Sequence, residues 1–508
     1  MAEPIKIKAP KLGVRPDKDI EELTDDELAS AENVLRRDGE FMVRPGLELF
    51  ASDVNQRPMK YLQYDHGNSR KVILGTDQGW HVLAGSAFVS ITGTPLTGDD
   101  VEHVPVFRTF TRGVTTYLLG VNGKDTMKEW DGNGATYLDV SGSPPIARCM
   151  MVVFDRIVLG NLRSGGTISP VAVDVSANKD FDSGWGTELV LLCSETNGPI
   201  VAMEEFGDFN GAIIKSDSIY MLIAQGGDSP FRKEHVKSGI SGPASEPLVF
   251  RMKTGEAGWL GNDGLVSIFN GASIDTLPYQ VQKHVISTCN PEHLNAAWSA
   301  YDPERRELWL IYPLLGSSVP NGGCMINMTT MAIYPVRFPG FAITAGGKVK
   351  SETGLTIGDL TGTIGSLSGT IGELGNSSAI RRMVMGEIGG KSYQDIGLTD
   401  DGTAIPFHWE TGARGELERY TNLGKIRHRF KHTTVPQNVS FQLGKRKDAG
   451  RPVFGTAHTI DIDAAAGSIK RTGHRTSAEH FCMRYSGDAS AEVVYDGCAI
   501  WGGKGGRR

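Results

Sequence analysis

The amino-acid sequence predicts an all-β protein. Three observations carry that expectation: glycine is in excess, helical periodicity is almost absent, and short apolar runs alternate with turn residues along most of the chain. Gly accounts for 64 of 508 residues, well above the roughly 7% of an average protein. These glycines follow no three-residue period, which excludes a collagen-like chain. Aromatic residues at 8% and apolar residues at 39% suffice for packed cores, so wholesale disorder is excluded. Excess glycine in such a chain reads as many tight turns between strands.

One helix signal stands near the N-terminus. Thr24 and Glu27 have capping-box spacing, acidic residues fill the first turn, and Leu28, Ala29 and Ala31 follow. The pattern predicts one short N-terminal helix over about 24–34, before a turn at Arg37-Asp38-Gly39. Beyond it, KVILG at 71–75, WHVL at 80–83 and FVSIT at 88–92 read as consecutive strands. Similar runs continue to Glu307–Tyr312, with Asn262-Asp263-Gly264 and Asn270-Gly271 as hairpin turns.

The strand groups recur about every 35 to 45 residues, near 58–95, 101–141, 146–190, 198–240, 246–280 and 294–338. That is the length of a four-stranded β-propeller blade. A weaker seventh group is closed by 380–397, so the body is expected to be a β-propeller of about six or seven blades. Within it, 356–376 carries a Thr-Ile-Gly-x-Leu repeat three times over. A Gly in every unit costs a helix about 1 kcal/mol each time, so a surface loop of repeated turns is expected. From 401 the alternation becomes cleaner and predicts a C-terminal antiparallel β-sandwich. The domain expectation is therefore an N-terminal arm and opening segment over 1–57, a propeller over 58–400, and a platform-like sandwich over 401–508.

Charge is uneven. Lys and Arg total 52 against 59 Asp and Glu, a net −7, which is not the balance of a general nucleic-acid binder. Residues 401–508 hold 17 Lys and Arg against 11 Asp and Glu, or +6, leaving 35 against 48, or −13, for 1–400. In Lys425-Ile-Arg-His-Arg-Phe-Lys431, a period of two places Lys425, Arg427, Arg429 and Lys431 on one face. Such a row is either an ordinary solvated face or a docking surface for an acidic partner, because four like charges repel unless paired.

The sequence carries none of the common catalytic or cofactor signatures. Gly120-Val-Asn-Gly-Lys-Asp-Thr lacks phosphate-loop spacing, and no HExxH, GxSxG or strand-borne GxGxxG occurs. Six widely separated cysteines form no zinc pattern and no small disulfide framework, so buried thiols in a reducing compartment are expected. The expectation is no catalytic residue, no cofactor and no metal. The N-terminus lacks a signal-peptide core and the apolar runs are too short to span a bilayer, so no membrane insertion is expected, and the protein is expected to be kept in a cytosol or assembled there into something larger.

The stretch Ala31-Glu-Asn-Val-Leu-Arg-Arg-Asp-Gly-Glu-Phe-Met-Val-Arg-Pro-Gly46 resembles the N-terminal signature of tail nozzle or hub proteins of short-tailed bacteriophages. Trp259-Leu-Gly-Asn-Asp-Gly264, the Thr-Ile-Gly repeat, and Trp409-Glu-Thr-Gly412 with the Gly- and Arg-rich end resemble further stretches of that family in the same order. The resemblance implies a virion protein of the tail without catalytic activity. It further implies a homo-hexameric ring below portal and adaptor, enclosing a channel for DNA ejection. A head-to-tail adaptor and tail fibre or tail needle proteins are its implied partners, with only transient, non-specific contact to exiting DNA. Within the signature, Asn33, Asp38, Gly39, Arg44, Pro45 and Gly46 are expected to do structural work. Gly39 and Gly46 would supply backbone angles closed to other residues, and Arg44 would pair with a carboxylate or carbonyls. The competing expectation is a glycan-binding or glycan-cleaving propeller, a tail-associated depolymerase, which would converge several carboxylates and an Arg clamp on one pocket.

Overall fold

A computed structural model describes residues 5–504 apart from 68, 99–100, 165–166, 226–228, 254, 351–380, 414–420, 432–434, 447–450, 463–468 and 479. The Thr-Ile-Gly repeat at 356–376 lies outside the described residues. What is described is almost entirely antiparallel β: seven four-stranded sheets and two six-stranded sheets.

The first sheet shows how sequence becomes strand. Pro58–His66, Ser69–Thr76, Trp80–Ala84 and Ala87–Ser90 pair in order, each separated by a short turn. Thr76 Oγ1 accepts the Gly79 N–H at 3.1 Å and fixes the turn into the Trp80 strand. The next five sheets begin at Val106, Ile146, Ile200, Val249 and Trp298 and end at Asp139, Leu192, Ser238, Thr276 and Arg337. The seventh is assembled differently. Ile343–Lys350, Arg381–Glu387 and Ser392–Gly397 are completed by Gly46–Ala51 from the N-terminal segment.

Cores lie between successive sheets. Trp80 of the first packs edge-on to Phe107 of the second at 5.0 Å. Leu119 and Leu159 share a core between second and third, Met151 and Ile213 one between third and fourth, and Ile219 and Trp259 one between fourth and fifth. Leu260 joins Leu308 between fifth and sixth, and Trp298 joins Met385 between sixth and seventh. Val384 of the seventh sheet and Leu74 of the first belong to one further core.

The two larger sheets face each other over Trp409, Tyr485, Phe441 and Phe430. One contains Thr421–Phe430 between Ile469–Ala478 and Val494–Lys504, with Ile5–Lys8, Glu40–Val43 and Val34–Arg37 beyond. The other contains Ile405–Thr411, His480–Ala489 and Gln437–Arg446, bordered by Leu28–Glu32. Residues before Ala51 therefore supply strands to both large sheets and to the seventh small one.

The expected helix at 24–34 is absent, and Leu28–Glu32 is a strand on Ile405–Thr411. The capping contacts do form: Glu27 Oε2 accepts the Thr24 N–H at 2.9 Å, and Glu27 N–H donates to the Thr24 carbonyl at 3.1 Å. They close a single turn. A helix of that length is marginal alone, while pairing with Ile405–Thr411 gives the segment ladder hydrogen bonds and a packed partner. The α-helix that forms among the described residues, Tyr279–Thr288, had no expected counterpart and buries Val281 and Val285 between the fifth and sixth sheets.

Candidate functional site

The signature residues gather where the N-terminal strands, the large sheets and the small sheets meet. Val34–Arg37 and Glu40–Val43 form a hairpin closed by Asp38 (φ 51°) and Gly39 (φ 85°), the two left-handed positions of a tight type I′ turn. Asn33 also has positive φ, 57°, and is fully buried. There its Nδ2 donates to the Pro406 carbonyl at 2.8 Å, and its Oδ1 accepts from the Arg337 N–H at 2.8 Å.

Arg44 binds this corner together. Its Nε donates to Asn33 Oδ1 at 2.9 Å, while Nη1 and Nη2 reach the two oxygens of Asp400 at 2.9 and 2.5 Å. Further bonds run to the carbonyls of Pro45 and Arg337, both at 3.0 Å, and the guanidinium lies 4.6 Å from the Phe338 ring centre. Asp400 also accepts the Leu47 N–H at 3.1 Å. Arg44 and Asp400 are only 1% and 3% exposed, so this is a fully desolvated, two-toothed ion pair. The expected role of Gly46 needs correction. Its φ is not positive; a Cβ there would lie 2.2 Å from the Thr399 carbonyl oxygen, so close approach, not backbone angle, requires glycine.

A second buried ion group adjoins the hairpin. Arg37 donates to both oxygens of Glu307 at 3.1 and 2.8 Å, and Asp395 lies 3.4 Å away. Burial opposes the charge on Arg37, but Glu307 and Asp395 outweigh it and hold the guanidinium more firmly protonated. For Asp395 burial wins against Arg37 and Arg305, and its carboxyl is raised above the ordinary range. Sequence reasoning missed Arg37, Glu307, Asp395 and Asp400 as partners, because no short-range pattern links residues this far apart.

The basic row lies on Thr421–Phe430 with the expected alternation. Ile426, His428 and Phe430 are buried, Lys425, Arg429 and Lys431 are exposed, and Arg427 is intermediate. Lys431 pairs with Glu40. Among the described residues no carboxylate pairs with Lys425, Arg427 or Arg429.

A third cluster joins leading strands of separate sheets. Arg108 of the second sheet donates to Glu204 of the fourth at 3.1 Å and lies 3.6 Å from Glu205. Glu205 also meets Arg251 of the fifth at 3.2 Å. Lys60 of the first sheet reaches Glu246, just ahead of the fifth, at 3.0 Å. Burial raises the Glu204 carboxyl against the pull of Arg108, and Glu246 and Glu205 add to the rise. These carboxylates also went unrecognised in the sequence, where they appear as isolated acids. The nearby space between Arg57, Pro247 and Asn295 is about 10 Å³, the size of one water.

No group of three or more His, Cys, Asp or Glu among the described residues is placed to hold a metal ion. All six cysteines are buried and none forms a disulfide. Burial pushes the Cys149 thiol up to about 12.

No protein-family model and no curated protein matches the chain. Among solved structures it is similar to the extracellular domain of the putative hybrid two component system BT3049 from B. thetaiotaomicron, with 9% identity and a TM-score of 0.43 over 92% of this chain. The chain spans 62% of the length of that domain. It is also similar to exo-beta-1,3-galactanase from Phanerochaete chrysosporium, with 9% identity and a TM-score of 0.26 over 85% of this chain and 100% of the enzyme. At these scores neither likeness carries an argument about function.

Proposed function

We propose that the protein is a structural virion component, a tail nozzle or hub of a short-tailed bacteriophage, whose seven small sheets form a β-propeller and whose large sheets form a platform-like sandwich. The observation that carries this reading is the fate of the signature. Asn33, Arg44 and Gly46 form a buried joint with Asp400 that ties the sandwich to the sheets beside it. Such a joint suits a part that must transmit load as a rigid body. In this reading six copies form a ring under the adaptor, carry fibre or needle proteins, and enclose the path of exiting DNA. Electron micrographs and native mass of the purified protein are expected to show a ring. A monomer that releases reducing sugar from polysaccharide would refute the reading.

The Glu204, Glu205, Glu246 and Arg108 cluster favours a second reading, a glycan-cleaving propeller. A raised, largely desolvated carboxyl beside other carboxylates is what a general acid needs. The two readings separate on Glu204→Gln: an enzyme loses activity, whereas a ring component retains assembly.

A further inference from the structure

Three strands on the outer face of the sandwich build a trough that neither reading has used. Val494–Lys504 runs between Ile5–Lys8 on one side and Thr421–Phe430 on the other. The register aligns Lys6, Ala499 and Arg427 in one cross-strand row, and Lys8, Gly497 and Arg429 in the next. Residues directly opposite on antiparallel strands share a face. Each row is therefore cation, small residue, cation. Two strand spacings set the cationic walls about 10 Å apart, and successive rows follow at about 6.8 Å. The space between them is about 410 Å³, and Trp501 also lines it.

The charge in this trough is uncompensated. Among the described residues none of Lys6, Lys8, Arg427 and Arg429 has an ion-pair partner, and Arg427 Nε is buried without a hydrogen bond. Asp496 is the one carboxylate of the lining. Gly497 has φ 119°, and a Cβ there would come 2.2 Å from the Ile7 carbonyl oxygen, so the floor stays low because the strand beside it leaves no room.

We propose that this trough binds an extended acidic segment of a partner protein, with Asp or Glu at alternate positions. The proposal rests on the assembly reading and names the chemistry of the partner. Same-face side chains of an extended peptide repeat at about 6.8 Å, matching the rows of cations. Asp496 favours a peptide over a nucleic-acid strand: it can accept a backbone N–H, which a phosphodiester chain does not offer. Both walls donate to the carboxylates, and the peptide backbone lies over Gly497 and Ala499.

The test uses the full-length protein and a fluorescein-labelled peptide of five Glu-Ser repeats, followed by anisotropy at low and physiological salt. Binding that weakens with salt is expected, with about a tenfold loss in Arg427→Glu/Arg429→Glu from two lost attractions and two new repulsions. Lys6→Gln/Lys8→Gln, which removes charge without reversing it, is expected to weaken binding less. Unchanged melting temperatures show that these outward-facing substitutions leave the fold intact. No binding at low salt, equal binding by the reversed variant, or stronger binding of a ten-residue oligothymidylate would each overturn the proposal. Salt-sensitive peptide binding by a protein that forms no rings would leave the trough standing and remove the tail reading alone.

Discussion

Arg44→Ala is the sharpest perturbation of the joint. The substitution leaves Asp400, 3% exposed, with the Leu47 N–H at 3.1 Å as the bond still described for it. Removing one partner of a buried ion pair costs about 3–5 kcal/mol, because the remaining charge stays desolvated. The lost contact with Phe338 adds about 0.5–2 kcal/mol, and the Arg337 and Pro45 carbonyls lose their donor. If the sandwich and its joint melt as one unit of 150–250 residues, each kcal/mol moves the transition by 2–4 °C. The calorimetric transition involving the sandwich is therefore expected to fall by roughly 10 °C. Arg44→Met/Asp400→Leu removes both charges and is expected to recover most of that loss, since apolar replacement of a buried pair is often neutral. A shift under 2 °C in Arg44→Ala, or a double variant as unstable as the single, would refute the account of this corner as a stability-bearing ion pair.

Further outcomes follow from the same structure. Gly46→Val is expected to destabilise more than Gly39→Ala, because its Cβ meets the Thr399 carbonyl at 2.2 Å whereas nothing lies within 4 Å of one at Gly39; urea unfolding ranks them. Burial alone would raise the Glu27 carboxyl, but bonds from Lys18 and the Thr24 N–H, with the charge of Arg15, together lower it. Its stabilisation is thus present above the unfolded carboxylate range and lost as pH falls through the folded value. Protection factors in residues 13–28, with the intrinsic pH dependence of amide exchange divided out, are expected to fall on acidification, and Glu27→Gln is expected to remove that fall. His284 is lowered by burial to about 4. The unfolded chain therefore binds the extra proton between pH 6.5 and 4, and stability falls across that window by about 3 kcal/mol. His284→Leu is expected to flatten this part of the acid limb in thermal melts.

Much of the strand grouping was legible because turns between neighbouring strands are written locally. Asp77-Gln78-Gly79 and Asn262-Asp263-Gly264 mark chain reversals whatever surrounds them. The seventh group read as weak for a physical reason: its fourth strand is Gly46–Ala51, contributed from the other end of the chain. The same long reach explains the failed helix. Local capping chemistry around Thr24 was correct, but the competing partner, Ile405–Thr411, is invisible to any window on the N-terminus. Alternation exposed the basic row on Thr421–Phe430, since period two is a property of one strand. Its flanking wall of Lys6 and Lys8 depends on a pairing that residue patterns do not carry.

The charged cluster at Glu204 bears on where DNA would travel. Lys60 of the first sheet meets Glu246 beside the fifth at 3.0 Å, and Arg108 of the second meets Glu204 of the fourth at 3.1 Å. In the proposed propeller, sheets that are not neighbours thus touch across the interior. A duplex whose major groove alone is about 12 Å wide cannot pass through such an interior. In the proposed ring the conduit must then lie between copies, bordered by surfaces of the acidic residues 1–400 rather than by the basic sandwich face. Duplex DNA carries one charge per roughly 1.7 Å, and a basic lining would retain it through counterion release. Fast passage requires the opposite. The purified protein is expected to bind duplex DNA weakly at low salt, with little change on raising it. Tight binding that collapses with salt, or its loss in Arg427→Glu/Arg429→Glu, would place the basic face on the DNA path and overturn this division of surfaces.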